Sequence, residues 1–417
     1  MNLFLHRTAK KRVEYALVLV AVGIMSAGMI MPVLPELIET MVHSNARAGL
    51  VNGWMVALFA GFQFLCSPVI GSLSDKFGRR PLIVISALGA MLDFTIVALA
   101  PNYWWIAVGR IITGVTGSLH TVFAYVTDIT TPQQRARRFG FMGAMMTVGL
   151  IAGPLTGGLL SHFISPRAPF WGAAVLALAT FLYVLFALPE SLDRDKRRDF
   201  SWRRANPFGS LMLLRSHPEL LGLATVFFFL SFVEPLFQSV LVLYTTYRYQ
   251  WDMLEVVGMF AAGGVLNIIV QGLVVGRAVR WLGERRAMIV GLCSAAIAVV
   301  GMGLAPNGIL FALCMLPYAL VGLAMPTIQS MLTQRVSESE QGQLQGANNV
   351  VASVAGVAGP LAFGYVYSIS IGTAPLIAIP GAVFFCAGVV LVLGAGAGVL
   401  ASRHAQRQGE GVAVSLQ

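Results

Sequence analysis

The chain has 417 residues, 57% of them hydrophobic and 11% charged, with a formal net charge of +10. Soluble domains carry about 25% charged residues, so these charges are too few to coat a water-facing surface and suffice only where most of the exterior meets lipid. The excess of basic residues would suit a nucleic-acid partner, but its placement along the chain assigns it to membrane topology and excludes that class.

Apolar stretches of roughly bilayer-spanning length, about 20 residues, recur at 14–38, 47–72, 81–100, 103–128, 138–164, 168–188, 218–246, 254–275, 285–305, 308–333, 343–369 and 373–399. The first follows basic residues, as a signal peptide does, but continues from Tyr15 to Leu37 without a clean small-residue cleavage site, so a retained helix is expected. The expected fold is an all-α membrane protein: twelve transmembrane helices in two pseudo-symmetric six-helix bundles, 1–188 and 218–417, the second ending in a short tail. A polar central loop at 189–217 separates them and carries Asp193, Arg194, Asp195, Lys196, Arg197, Arg198, Asp199, Arg203 and Arg204.

With the N-terminus inside, one side of the membrane receives Arg7, Lys10, Lys11, Arg12, Lys76, Arg79, Arg80, Arg135, Arg137 and Arg138. It also receives the central-loop cluster, Arg277, Arg280, Arg285, Arg286, Arg335, Arg403 and Arg407, whereas the other side receives Arg47, Arg167 and Arg248. The positive-inside rule puts both termini and the central loop in the cytoplasm. Cys66, Cys293, Cys314 and Cys386 sit in apolar stretches without metal-type spacing. They read as small core hydrophobes, and neither metal nor cofactor is expected.

The two halves repeat one another. Gly71-Ser-Leu-Ser-Asp-Lys-Phe-Gly-Arg-Arg80 follows helix two, and Gly276-Arg-Ala-Val-Arg-Trp-Leu-Gly-Glu-Arg285 follows helix eight. Gly153-Pro-Leu-Thr-Gly-Gly158 in helix five returns as Gly359-Pro-Leu-Ala-Phe-Gly364 in helix eleven. A duplicated bundle with a site near the midplane is a common transporter plan.

On these residues the whole chain resembles the major facilitator superfamily. Gly71–Arg80 is similar to its loop signature between helices two and three. Gly149-x-x-x-Gly153-Pro154-x-x-Gly157-Gly158 resembles the helix-five signature of the drug:proton antiporter branch, and Arg110 with Gly114 and Gly117 resembles the helix-four signature of proton-coupled members. Ile30-Met-Pro-Val-Leu-Pro35, Gly89-Ala-Met-Leu-Asp93, Ser165-Pro-Arg-Ala-Pro-Phe170 and Gly342-Gln-Leu-Gln-Gly346 resemble the tetracycline-efflux group. The resemblance implies a bacterial inner-membrane antiporter that works as a monomer and exports an amphipathic drug in exchange for protons. Where that group carries acids in helices one and nine, this chain has Gly23 and a position near Ala295.

A charge deep in a spanning helix costs about 2.5 kcal/mol or more and persists when something pairs with it or uses it. Asp93, Arg110, His120 and Glu234 sit deep by these spans. Asp93 and Arg110 lie at similar depth on consecutive helices, as either a proton-coupling pair or a static pair that holds the hairpin. Glu234, beside Pro235, is either a proton or cation site or a residue of the outer cavity. His120 either titrates near neutral pH or bonds neutrally between helices. Gln63, Gln238, Asn267, Gln271, Gln329, Asn348 and Asn349 are expected to face inward, with Gln63 and Gln238 first among drug contacts. Phe59, Phe62, Phe123, Tyr125 and Phe237 offer aromatic surface or ordinary packing.

The resemblance further implies a cytoplasmic latch around Gly71, Asp75, Gly78, Arg79 and Arg80, with Asp75 paired to Arg135 and Arg79 to Asp128. In the second half Arg280 stands where the aspartate would be, so a different latch is expected there. Gly149, Gly153, Pro154, Gly157 and Gly158 permit close helix approach and a kink. Without a G-x-x-x-x-G-K-[ST] loop, ATP-driven pumping by this chain is not expected, and neither is hydrolase chemistry. The remaining alternatives are a proton-coupled metabolite transporter and a non-transporting membrane sensor.

Overall fold

A computed structural model describes residues 18–117, 119–202, 206–337, 340–371 and 379–415. The predicted helix starts at 14–17 and 373–378, the basic residues Arg7, Lys10, Lys11 and Arg12, and Arg203 and Arg204 lie outside the described residues. Arg403 and Arg407 lie on a helix whose side chains are not described there.

The described chain is built from helices with spanning length and apolarity. They are α1 (Val18–Val42), α2 (Asn45–Phe77), α3 (Arg79–Leu99), α4 (Tyr103–Asp128), α5 (Pro132–Phe163) and α6 (Ala168–Ala187). After the central segment come α7 (Leu220–Ser239), a 52-residue stretch Met253–Leu304, α10 (Gly308–Thr333), α11 (Gln341–Ile371) and α12 (Ala382–Leu400). The long stretch breaks at Gly283 (φ 76°, ψ 160°), which divides it into α8 (253–282) and α9 (284–304). Twelve crossings result. Side chains such as Trp104, Phe186 and Ile297 stand more than 60% exposed on the helix surfaces, a pattern that suits lipid and would expose an apolar patch to water in a soluble protein. Cys293 and Cys386 belong to this exposed set, which corrects their reading as core residues.

The duplication extends further than the motifs. Leu99-Ala-Pro-Asn102 precedes α4 and Leu304-Ala-Pro-Asn307 precedes α10. Both asparagines are N-caps: Asn102 accepts from the amide of Trp104 and Asn307 from that of Leu310. Gly78 (φ 106°, ψ 164°) and Gly283 make the same kind of break, in a left-handed region that glycine enters without the Cβ penalty.

By contacts the chain forms two compact units. The first holds residues 1–44, 58–207 and 252–261, and the second 45–57, 208–251 and 262–417. The boundary at Pro207 falls inside the expected loop, but the units exchange short segments that a split at 188 and 218 does not foresee.

In the first unit α5 runs against α1 along the glycine stripe. A Cβ on Gly149 would come 2.9 Å from the carbonyl of Ala21, and one on Gly153 2.7 Å from that of Met25. Gly157 abuts the Met29 backbone, and Gly158 abuts Val257 of the 252–261 segment. In the second unit residues 45–57 pack on α11. Gly49 abuts Tyr367, Gly53 the carbonyl of Pro360, and Gly364 the carbonyl of Gly49. Asn52 is buried, and its Nδ2 donates to the carbonyls of Ser239 (2.8 Å) and Gln238 (3.3 Å). Those carbonyls sit at a break in helical geometry at Val240 (φ −125°), where the regular helical acceptor pattern ends.

Candidate functional site

α3 and α4 are consecutive and pack side by side. Asp93 on α3 is fully buried, and its Oδ2 accepts hydrogen bonds from Arg110 Nη2 and, at 2.9 Å, from Thr113 Oγ1 on α4. Gly109 makes room for this approach, because a Cβ there would collide with Asp93 Oδ1. The Arg110 side chain is 11% exposed. Asp93 Oδ1 and Arg110 Nε are buried without a hydrogen-bond partner among the described residues. The pair is therefore matched in charge and only half satisfied in hydrogen bonds. Removing one member of such a pair typically costs about 3–5 kcal/mol, because the other is left as an uncompensated buried charge.

Beside this cluster, within the first unit, lies a cavity of about 260 Å³ between α1, α2, α3, α4 and α6. Its wall is mostly apolar, with Ile24, Phe59, Phe94 and Val122, and takes polar groups from Ser26, Gln63, Ser86, Thr113 and Thr180. No charged side chain lines it among the described residues. Gly23, the helix-one position singled out in the sequence, is part of the wall.

A second polar cluster occupies the end of the first unit where α2 and α3 meet. Arg79 Nη1 donates to Asp75 Oδ1 (2.6 Å) and Ser74 Oγ (2.6 Å), and its Nε donates to Asp128 Oδ2 (3.1 Å). Arg79 and Asp128 are thus joined, whereas Asp75 meets Arg79 and not Arg135, which is exposed. The physical reason is proximity: Asp75 and Arg79 are four residues apart, across the Gly78 break. Glu190, after the end of α6, accepts from the backbone amides of Arg79 (2.9 Å, Oε1) and Arg80 (3.2 Å, Oε2). A carboxylate there satisfies amides that the first turn of α3 leaves open and complements the helix dipole. Arg80 Nη2 donates to the Leu185 carbonyl, Ser191 Oγ to Asp128, and the Arg198 amide to the Asp75 carbonyl. The start of the central loop is therefore folded onto this end of the unit.

The second unit inverts the charges. Glu284, directly after Gly283, accepts from Ser330 Oγ (2.6 Å) and Gln334 Nε2 (3.2 Å). It occupies the place that Arg79 holds after Gly78, as Arg280 occupies that of Asp75.

The other expected site residues fall in separate places. Phe62 packs against Gly114, and Phe123 stacks on Phe139 (5.9 Å between ring centres). Tyr125 does not line the cavity: it is fully buried in a hydrophobic core with Val126 and Met142, and its hydroxyl donates to the Pro189 carbonyl. His120 is exposed and follows Arg110 by ten residues, beyond the point where helical geometry ends at Gly117. In the second unit Glu234 and Gln238 are exposed on α7, with Phe237 against Tyr318 (4.6 Å). Gln271 Nε2 donates to Asn267 Oδ1 where α8 widens into a π turn at Val270–Val274. Asn348 Nδ2 donates to Gln329 Oε1 (3.2 Å), and Asn349 is exposed.

Sequence reasoning passed over Thr113, Glu190 and Glu284. Thr113 was findable, since it lies three residues after Arg110 and hence on the same helix face. Glu190 gave no side-chain signal, because its partners are backbone amides.

With twelve apolar crossings, a duplicated half and a buried Asp–Arg pair in place, comparison with known proteins fixes the class. The chain belongs to the Major Facilitator Superfamily, whose family profile matches residues 16–360. It is 39% identical over 354 residues to the tetracycline resistance protein of class C from Escherichia coli, covering 85% of this chain and 88% of the relative. It is 37% identical over 361 residues to the class G protein from Vibrio anguillarum, covering 86% and 90%. Among solved structures, the nucleoside transporter NupG aligns with a TM-score of 0.75 at 13% identity, covering 94% of this chain and 98% of that one.

Proposed function

We propose that this protein is a proton-coupled antiporter that exports a small amphipathic drug, tetracycline-like or broader in range, by alternating access. It is assigned to the bacterial inner membrane as a monomer with both termini cytoplasmic. The observation that carries this reading is the fully buried Asp93 bound to Arg110 beside an uncharged cavity, in a chain 39% identical to a tetracycline resistance protein.

The geometry supplies a mechanism. An ionised Asp93 compensates Arg110 in a low-dielectric interior. A proton on Asp93 cancels that compensation and leaves a guanidinium whose Nε already lacks a partner, so the α3–α4 contact must rearrange. Proton loading thus changes the packing of the helices that wall the cavity. The Asp75–Arg79–Asp128 cluster holds the ends of α2, α3 and α4 together in one of the alternating states and must loosen in the other. Gln63, with Phe59 and Phe62 nearby, is assigned to the drug. Gln238, Asn267, Gln271, Gln329 and Asn348 are assigned to the substrate side of the second half, and Glu234 to a second proton or cation position.

The test is drug-driven proton movement in inside-out vesicles, followed with a pH-sensitive dye and tetracycline. Asp93→Asn is expected to abolish the exchange while folded protein stays in the membrane. Unchanged exchange by that variant would overturn the assignment.

A further inference from the structure

We infer that the Thr113 hydroxyl is the wire between drug and proton: it relays a hydrogen bond from an uncharged, donor-bearing ring in the first-unit cavity to the Asp93 carboxylate. The inference rests on the reading of Asp93 as the coupling group and adds the route by which the substrate senses it.

Thr113 is the residue that both lines the cavity and bonds to Asp93. Its single hydroxyl proton has three acceptors in reach: Asp93 Oδ2 at 2.9 Å, the Gly109 carbonyl at 3.0 Å and the Arg110 carbonyl at 3.4 Å. While Asp93 is ionised, the charged oxygen is the strongest of the three. The proton then points at the carboxylate, and the lone pairs of Oγ1 remain to accept from a ligand O–H or N–H in the cavity. Such a chain, ligand donor to hydroxyl to carboxylate, is polarised along its length and strengthened by the anion at its end. When Asp93 takes a proton the anion is gone, the hydroxyl is free to turn back to Gly109, and the ligand's donor loses its polarised partner. Drug and proton therefore weaken one another, which is the sign that antiport requires, and linkage makes the two effects equal.

The cavity states the substrate class. Among the described residues its wall carries no charge, and burying a charged group there unpaired would be costly. An apolar wall of about 260 Å³ takes part of a ring system. The remaining hydroxyls, such as that of Thr180, are engaged at least in part with their own helices.

Asp93 must be the titrating member for this to hold. On α4 and α6, which pack along α3, the charged or titratable groups are Tyr103, Arg110, His120, Tyr125 and Asp128 on α4, with Tyr183 on α6 and Arg167 just before it; the Tyr125 hydroxyl is bonded to the Pro189 carbonyl. Arg110 bonds to Asp93. Asp128 is engaged with Arg79, Arg167 donates to the carbonyls of Ala98 and Ala100 at the far end of α3, and His120 is exposed.

The experiment is tetracycline binding to the purified full-length protein as a function of pH, with proton release on binding measured in parallel. Wild type is expected to bind more weakly as pH falls and to release protons on binding. Thr113→Val, which keeps the shape and removes the hydroxyl, is expected to flatten the pH dependence to within about threefold and to suppress proton release. Thr113→Ser is expected to restore both. Thr180→Val, on the same wall and away from Asp93, is expected to weaken binding without changing its pH dependence, so a general packing defect is distinguishable. Wild-type pH dependence in Thr113→Val overturns the inference and leaves the Asp93 assignment standing. Wild-type linkage in Asp93→Asn overturns the assignment itself. Absence of tetracycline binding by the wild type overturns the substrate class.

Discussion

Glu190 illustrates how one carboxylate organises an end of a membrane bundle without entering the membrane. It bonds to two amides of the first turn of α3 and to the amides of Ser191 and Leu192 in its own loop. Exchanging it for glutamine keeps the size and removes the charge that suits a helix N-terminus. Glu190→Gln is expected to destabilise the protein by about 0.5–2 kcal/mol, the range for a lost cap, visible as a lower Tm in detergent. A Tm equal to wild type would show that the loop holds without it. Residues of this kind are illegible in a sequence, because backbone amides carry no letter. Asp93 and Arg110 were legible for the opposite reason: a charge deep in an apolar run advertises itself. Tyr125 takes the second of its two expected roles, packing in the core, because an aromatic in an apolar run reads the same whether it faces a cavity or the core.

At the scale of the helix, the glycine–proline stripe of α5 was legible as a contact surface, and the structure supplies its partner, α1. Gly157 is the tightest point against α1, since a Cβ there would overlap the Met29 backbone, whereas Gly140 on the same helix faces open space. Gly157→Leu is expected to cut the yield of folded protein sharply, and Gly140→Ala to leave it near wild type. Size-exclusion profiles of the detergent-extracted proteins distinguish these outcomes, and a monodisperse Gly157→Leu would refute the contact. The affiliation of residues 45–57 with α11 was not legible. α2 reads as one uninterrupted apolar helix, and nothing in its periodicity marks residue 57 as the place where its neighbours change.

For the whole molecule, the count of crossings and their duplication followed from hydropathy and motif spacing, because lipid leaves the backbone so few alternatives. The proposed orientation rests on the basic residues, and it is open to a direct check. In a background lacking the four native cysteines, single cysteines at Pro101 and Arg248 are expected to react with an impermeant maleimide in intact cells. Cysteines at Arg135 and Arg286 are expected to react only in inside-out vesicles. The reverse pattern would invert the topology.

The break at Gly283 has a consequence for the duplication itself. Two halves that keep the same bend and the same N-caps have nonetheless exchanged acid for base around it, Glu284 standing for Arg79 and Arg280 for Asp75. The repeats are thus no longer interchangeable parts: grafting the first half's Asp-x-x-Gly-Arg wording onto the second would set a new cation beside Ser330 and Gln334, which now donate to Glu284. The bend is common to both halves and the charges around it are not, so each half secures its bend with partners of its own.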